Sequence, residues 1–221
     1  MEFLELIKSR HATRGFLSKP VADEDIERIL DAARFAPSGV NTQPWKVAIL
    51  KQNAREKLYS AIIESKASGA KPNPDYDYYP ANWVEPFKSR RKSCGMALYQ
   101  ALEISREDTE KLVAAWNRNY AFFEAPVGLM FFIDKQLSKG SWLDLGMFIQ
   151  NIMLAAQSIG LATCPQAAFA DYPDIVRDIL EVEAGYAVVC GMAMGYEDPR
   201  HPANQYRLER EPVKSFTSWY D

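Results

Sequence analysis

Apolar residues recur at helical spacing in several stretches of this chain. Ile26, Ile29, Leu30 and Ala33 share one face of residues 25–34 and predict a helix with Asp23 as its N-cap. Phe3, Leu4, Leu6 and Ile7 predict a shorter helix before it. Asn53 and Glu56 form a capping-box pair ahead of Leu58, Ala61 and Ile62, which predicts a third. Mixed helices are expected at about 84–104 and 107–117, and a short one at 174–180. The longest, at 141–159, carries Leu145, Phe148, Ile149, Ile152, Met153, Ala156 and Ile159 around much of its girth and ends at Gly160. Such a helix belongs in an interior or an interface. Three continuous apolar runs, 45–50, 127–133 and 187–194, read as buried strands. Separated buried strands among more numerous helices predict a sheet covered on both faces, an α+β or α/β fold.

Two stretches break the pattern. Residues 71–83, KPNPDYDYYPANW, read as a loop. The tail from Glu197 to Asp221 has prolines at 199, 202 and 212 and little periodicity. Its aromatics, Tyr206, Phe216, Trp219 and Tyr220, predict that it packs on something. At 221 residues the chain is expected to form a single domain, 1–221, with an excursion at about 67–105.

Charge narrows the function. With 26 basic and 29 acidic side chains the formal net charge is −3, and neither a nucleic-acid partner nor a membrane surface is indicated. No apolar run approaches the ~20 residues of a membrane span. The three cysteines, Cys94, Cys164 and Cys190, form no CxxC, which points to reduced thiols and a cytoplasmic protein without a signal peptide. With His11 and His201 the only histidines, no histidine-rich metal site is expected.

The chemistry concentrates in two places. Residues 9–16, SRHATRGF, put Arg10, His11 and Arg14 within five positions, a cluster suited to a phosphate and an electron-rich ring. Residues 36–50, APSGVNTQPWKVAIL, end a helix at Pro37, Ser38 and Gly39, place the carboxamides of Asn41 and Gln43 on a tight loop, and enter a strand. Carboxamides carry donors and an acceptor, which is what reading a heterocycle edge requires. Each feature also has a plainer reading, a surface charge or an ordinary connection. GxSxG, GxxxxGK[ST] and GxGxxG motifs are absent, and the Asp23–Asp25 pair reads as helix-start charge rather than an acid–base dyad.

RHxTRxF followed by PSGxNxQPW resembles the nitroreductase family of FMN-dependent oxidoreductases, and CPQAAF (164–169), CGMAMGY (190–196) and NQYR (204–207) extend the resemblance along nearly the whole chain. Within that family the chain looks most like bacterial nitrobenzoate-type reductases. The resemblance implies an α+β nitroreductase-like fold: a central, mostly antiparallel sheet, flanking helices, and a C-terminal extension that adds a strand to a partner subunit's sheet. It implies a homodimer with FMN at the interface, NAD(P)H as co-substrate and a small aromatic acceptor. Hydride would pass through flavin N5 in ping-pong turns, with no side chain as nucleophile. Arg10 and Arg207 are then phosphate ligands, with His11 in the same cluster and Arg14 near the flavin pyrimidine. Pro37, Ser38, Gly39 and Asn41 approach the flavin from the opposite subunit. Pro165, Gln166, Ala167 and Ala168 match the loop whose backbone addresses N5. Ala12 stands where a small hydroxyl residue is common and Gln205 where some relatives have lysine, so the phosphate site is softened, with Arg210 as a compensating cation.

Residues 71–92 are a candidate substrate cover, with Tyr76, Tyr78, Tyr79, Trp83 and Phe87 to stack on a planar acceptor and Arg90 and Arg91 to attract a carboxylate. A seam of tyrosines with solvated arginines is the plainer alternative. Two other functions compete with nitroaromatic or quinone reduction. One is reductive dehalogenation of a halotyrosine, in which Tyr79, Glu85 and Lys88 would imitate a lid, with unconvincing order and spacing. The other is a flavin-binding protein without turnover.

Overall fold

A computed structural model describes residues 2–221. The helices are α1 (Phe3–Ser9), α2 (Asp23–Ala33), α3 (Gln52–Ala67), α4 (Phe87–Ala101), α5 (Thr109–Asn117), α6 (Lys139–Ser158) and α7 (Pro173–Leu180). The strands are β1 (Lys46–Leu50), β2 (Val127–Asp134), β3 (Ala162–Gln166) and β4 (Tyr186–Gly195). They form one sheet in the order β1-β2-β4-β3, antiparallel throughout.

The continuous apolar run of β2 follows from having both faces covered. Val127, Leu129, Phe131 and Ile133 enter one core with Ile26, Ile29 and Ala33 of α2 and Leu145, Phe148, Ile152 and Ala156 of α6. Met130 and Phe132 alternate into the other, with Leu58 and Ile62 of α3, Val176 of α7, and the aromatics Tyr120, Phe122 and Phe169. A Cβ on Gly191 would lie 2.4 Å from the Phe169 ring, and one on Gly195 2.5 Å from Pro126. Close approach at these strand glycines is therefore to packed side chains.

Several local expectations are corrected. Asp23 is the first residue of α2, not its cap, and its carboxylate pairs with Lys51. Lys51 is the N-cap of α3; Asn53 lies inside the helix, and Glu56 accepts from Gln52 at 3.0 Å instead of closing a capping box. Of Pro165, Gln166, Ala167 and Ala168, read as a loop, the first two end the edge strand β3 and the last two open a 3₁₀ turn at Ala167–Asp171. The tail has two short 3₁₀ turns, Pro202–Asn204 and Val213–Ser215; Ala203 and Asn204 of the first are buried within the chain, whereas Phe216, Trp219 and Tyr220 beyond the second are exposed.

The loop at 71–79 is pinned rather than loose. Beyond the reach of β3, the register shift between Phe131 and Phe132 leaves Val189 bulged out of the β2–β4 ladder. The Val189 carbonyl accepts from the Tyr76 hydroxyl at 2.6 Å, and the neighbouring Val188 N–H donates to Asp75 at 3.1 Å. Tyr76 also packs on Trp142 of α6, ring centroids 4.5 Å apart. No described helix is long and apolar enough to cross a membrane.

Candidate functional site

Residues 12–17 run as an extended strip against the sheet. Ala12 bridges Thr163 of β3 in parallel, and Phe16 bridges Glu197 just past β4. The Thr13 N–H donates to the Thr163 carbonyl at 3.1 Å, and the Leu17 N–H to the Tyr196 carbonyl at 2.8 Å. The segment that follows β4 folds over this strip. A Cβ on Gly15 would meet the His201 ring at 2.1 Å, so glycine is required for the approach. The buried Asn204 closes the junction: its Oδ1 accepts the Arg14 N–H at 2.8 Å, and its Nδ2 donates to the Gly15 and Asp198 carbonyls at 2.8 and 2.9 Å.

This architecture gathers cations without neutralising them. Arg10, Arg14, Arg207 and Arg210 have no carboxylate within ion-pair distance among the described residues. Arg14 Nη1 donates to the Tyr206 hydroxyl at 3.1 Å, and Arg207 Nη1 to the carbonyls of Asn204 and Tyr206 at 2.7 and 2.9 Å. Arg210 Nη1 donates to the carbonyls of Leu208 and Glu209. Burial, and then the nearby Arg210, hold Arg10 below the ordinary arginine value. Cys164 lies fully buried beside the cluster; burial pushes its thiol up to about 11, against the pull of Arg14 and Arg10. Guanidiniums gathered without carboxylates, with Arg10 and Arg14 partly buried and Arg207 and Arg210 exposed, are donors suited to an anion.

His11 belongs to the cluster as a support. Its Nδ1–H donates to the Ser9 carbonyl at 3.1 Å, and its Nε2 sits between Glu197 Oε1 at 3.1 Å and Arg207 Nη2 at 3.3 Å. A cavity of about 170 Å³ lies beside it, lined by Arg10, Thr13, Gln157 and Glu197 among others. The Thr13 hydroxyl has no hydrogen-bond partner among the described residues. The larger depression between α2 and the start of α3, about 580 Å³, is on another part of the surface, lined by Asp23, Ile26, Lys51 and Asn53.

Pro165, Gln166, Ala167 and Ala168 follow directly on the Thr163 bridge. The Gln166 side chain turns inward and donates to the Asn119 carbonyl at 2.6 Å, leaving its Oε1 unpartnered. Ala167 and Ala168 open the 3₁₀ turn, where the first N–H groups lack intrahelical acceptors, and no other backbone carbonyl takes them.

The loop of Pro37, Ser38, Gly39 and Asn41 is elsewhere in the chain. Gly39 donates its N–H to Asp144 Oδ2 at 3.1 Å, in the early turns of α6. The Arg10–His11 segment meets α6 at its other end, through Gln157 Nε2 donating to Ser9 Oγ at 2.6 Å and to the Leu6 carbonyl at 3.2 Å. The two anchor points are separated by about 20 Å of helix at ~1.5 Å per residue. The loop is strained as well as exposed: Val40, Asn41 and Gln43 have φ of 45°, 59° and 48°, and Val40 is 98% exposed. A β-branched residue in that region costs on the order of 1–3 kcal/mol. Ser38 Oγ, accepting the Gln43 N–H at 3.0 Å, and Asp144 hold it there.

Among the aromatics of 71–92, Tyr78 meets Tyr79 edge-on, Tyr79 lies tilted against Trp83, and Arg91 lies over Trp83. Arg90 is taken by Glu211 at 2.8 Å. Glu85 accepts the Ser89 N–H at 3.3 Å at the start of α4, a structural use for one member of the imagined halotyrosine lid. Sequence reasoning missed Asp144, Asn204 and Tyr206 as site builders. Asn204 and Tyr206 stand in the NQYR stretch, which marked the place but not the role.

An antiparallel sheet with helices on both faces defines an α+β protein, with an arginine cluster free of carboxylate partners among the described residues at its margin. The nitroreductase family model matches residues 7–196. Over 216 residues the chain is 37% identical to a 4-nitrobenzoate reductase of Pseudomonas putida, covering 98% of this chain and 94% of that protein. It is 38% identical over 216 residues to a nitrobenzene nitroreductase of Ectopseudomonas oleovorans, covering 97% and 95%. The solved structure of the FMN and NADPH-dependent nitroreductase NfnB from sphigopyxis sp. strain HMH superposes with a TM-score of 0.97 at 32% identity over 100% of both chains. The chain belongs to the nitroreductase family.

Proposed function

We propose that this protein is an FMN-dependent oxidoreductase that uses NAD(P)H to reduce nitroaromatic or quinone-like acceptors. The observation that carries the reading is the arginine cluster left without carboxylate partners where the RHATRG strip meets the tail. The residues fit FMN by their chemistry. Arg10 and Arg207, with Arg210 beside Arg10, are the donors for a phosphate. Arg14, held by Tyr206, supplies a fixed cation for the pyrimidine end, where negative charge grows on reduction. Ala167 and Ala168 offer backbone N–H groups to the ring. The redox chemistry itself is that of FMN, which takes two electrons from NAD(P)H and passes them to the acceptor.

The remaining parts are read as a homodimer. The loop of Pro37, Ser38, Gly39 and Asn41 is anchored far along α6 from the arginines of its own chain, which supports its serving the site of a second copy. Exposed apolar side chains on α1 (Phe3, Leu4), α6 (Leu143, Met147) and the tail (Phe216, Trp219, Tyr220) supply surface for that contact, with the tail as the extension onto the partner. The aromatic series at Tyr78, Tyr79 and Trp83 is the surface for a planar acceptor. Three unpaired cysteines suit a reducing, cytoplasmic setting. Oxidation of NADH or NADPH that depends on added 4-nitrobenzoate or a quinone tests the activity; no acceptor-dependent oxidation by flavin-loaded protein contradicts it.

A further inference from the structure

We infer that Asn204 is a positioning residue that ties Arg14 and Arg207 into one cationic unit, so that each arginine's hold on a bound ligand depends on where the other is placed. The inference rests on the FMN reading of the cluster. Asn204 is 2% exposed. Its partners fix which way the amide faces: Oδ1 takes a backbone N–H, from Arg14, and Nδ2 gives to two carbonyls, of Gly15 and Asp198. Its own carbonyl takes Arg207 Nη1 at 2.7 Å. One residue therefore sets the backbone from which Arg14 projects and supplies an acceptor that orients the Arg207 guanidinium. A second link runs in parallel: Tyr206 meets Arg14 through its hydroxyl and Arg207 through its carbonyl. Asn204 touches neither the sheet core nor the candidate acceptor surface by any hydrogen bond, so its contacts serve this junction.

A residue of purely structural value lowers stability and adds its effect to any other substitution. A residue acting through the two arginines loses its effect once both are gone. The test is a double-mutant cycle on FMN affinity in the full-length protein, stripped of flavin and titrated with FMN by fluorescence quenching, with the thermal midpoint of each variant recorded. Asn204→Ala releases the Arg14 backbone and the turn whose carbonyl orients Arg207, and is expected to weaken FMN about tenfold through the arginines it displaces. Added to the combined Arg14→Ala and Arg207→Ala variant, it is expected to weaken binding by no more than about twofold further. Full additivity, or a lowered midpoint with unchanged FMN affinity, would overturn the inference. If the alanine variant does not fold, Asn204→Asp serves: it keeps the size and the acceptor for Arg14 while setting a carboxylate oxygen against the Gly15 and Asp198 carbonyls, and the same lack of additivity is expected. Wild-type protein that binds no FMN overturns the functional reading itself; wild-type binding with additive effects overturns only the role of Asn204.

Discussion

Asp75 and Arg177 are 102 residues apart in sequence and 2.6 Å apart in space, each side chain only 9% exposed. Asp75 also takes Lys135 at 2.9 Å and the Val188 N–H at 3.1 Å, and Arg177 also holds Asp174 and the Tyr186 carbonyl. The pair nails the 71–79 loop to the open margin of β4, and with it Tyr76 and the aromatic series that follows.

Burial alone would raise the Asp75 carboxyl, but Arg177, Lys135 and the Val188 N–H outweigh it and hold it below the usual range. A carboxyl depressed on folding contributes stability at pH above its unfolded value of ~3.9, and that contribution fades as pH falls through the folded value. Asp75→Asn is expected to cost about 3 kcal/mol at pH 7 by leaving Arg177 short of its buried partner. The cost should begin to shrink as pH falls below ~3.9, where the unfolded chain takes up a proton that the folded wild type does not, and it should fade further through the folded value. Urea unfolding at pH 7 and pH 3.5 measures both. An equal cost at the two pH values would show that the ion pair is not what holds the loop.

Arg207→Ala is expected to weaken FMN binding about ten- to hundredfold, the loss of roughly 1.5–3 kcal/mol for a charge-assisted contact. With flavin kept saturating, its reduction by NAD(P)H should be little changed. Arg14→Ala should slow reduction even at full occupancy, because the cation beside the pyrimidine is gone. Stopped-flow reduction at saturating FMN separates the two. Equal loss of rate in both variants, with FMN affinity untouched in Arg207→Ala, would mean that the arginines are assigned the wrong way round.

Much of this layout was legible in the sequence because the signals are local. The apolar runs of β2 and β4 read as buried strands, and the RHATR cluster meets the tail residues Tyr206 and Arg207 with which the reading grouped it. β3 was not legible: it is a short edge strand with Pro165 inside it and no alternation, so nothing local separates it from a turn. Nor was the role of Asn204, whose partner Arg14 lies 190 residues away. The capping readings of Asp23 and Asn53 failed for a different reason. Both helices start one residue or more earlier than the pattern implies, and Asp23 is taken by Lys51.

Two glycines make a matched pair of steric tests. Gly15→Ala drives a methyl into the His201 ring beside Asn204, and Gly191→Ala drives one into Phe169 inside the core. Each should destabilise by about 1–3 kcal/mol. Only Gly15→Ala should also weaken FMN binding, since it displaces the junction that sets Arg14. Thermal melts and FMN titrations of both variants decide this; equal FMN affinity in the two would detach the junction from the site.

The exposed apolar side chains of α1, α6 and the tail predict a stable homodimer, with an interface on the order of 2,000–5,000 Å². Sedimentation at micromolar concentration should give twice the 25.1 kDa chain mass. Removal of residues 212–221, which takes Phe216, Trp219 and Tyr220 with it, should shift the protein toward monomer. A monodisperse single chain that still holds FMN would contradict the shared site.

The central claim is that the unpaired arginines hold FMN, and the flavin content of the purified protein tests it most directly. The protein should be yellow, or become so on reconstitution, and denaturation should release about one FMN per chain, as expected of a resident cofactor. Protein that releases no flavin after incubation with excess FMN would contradict the account.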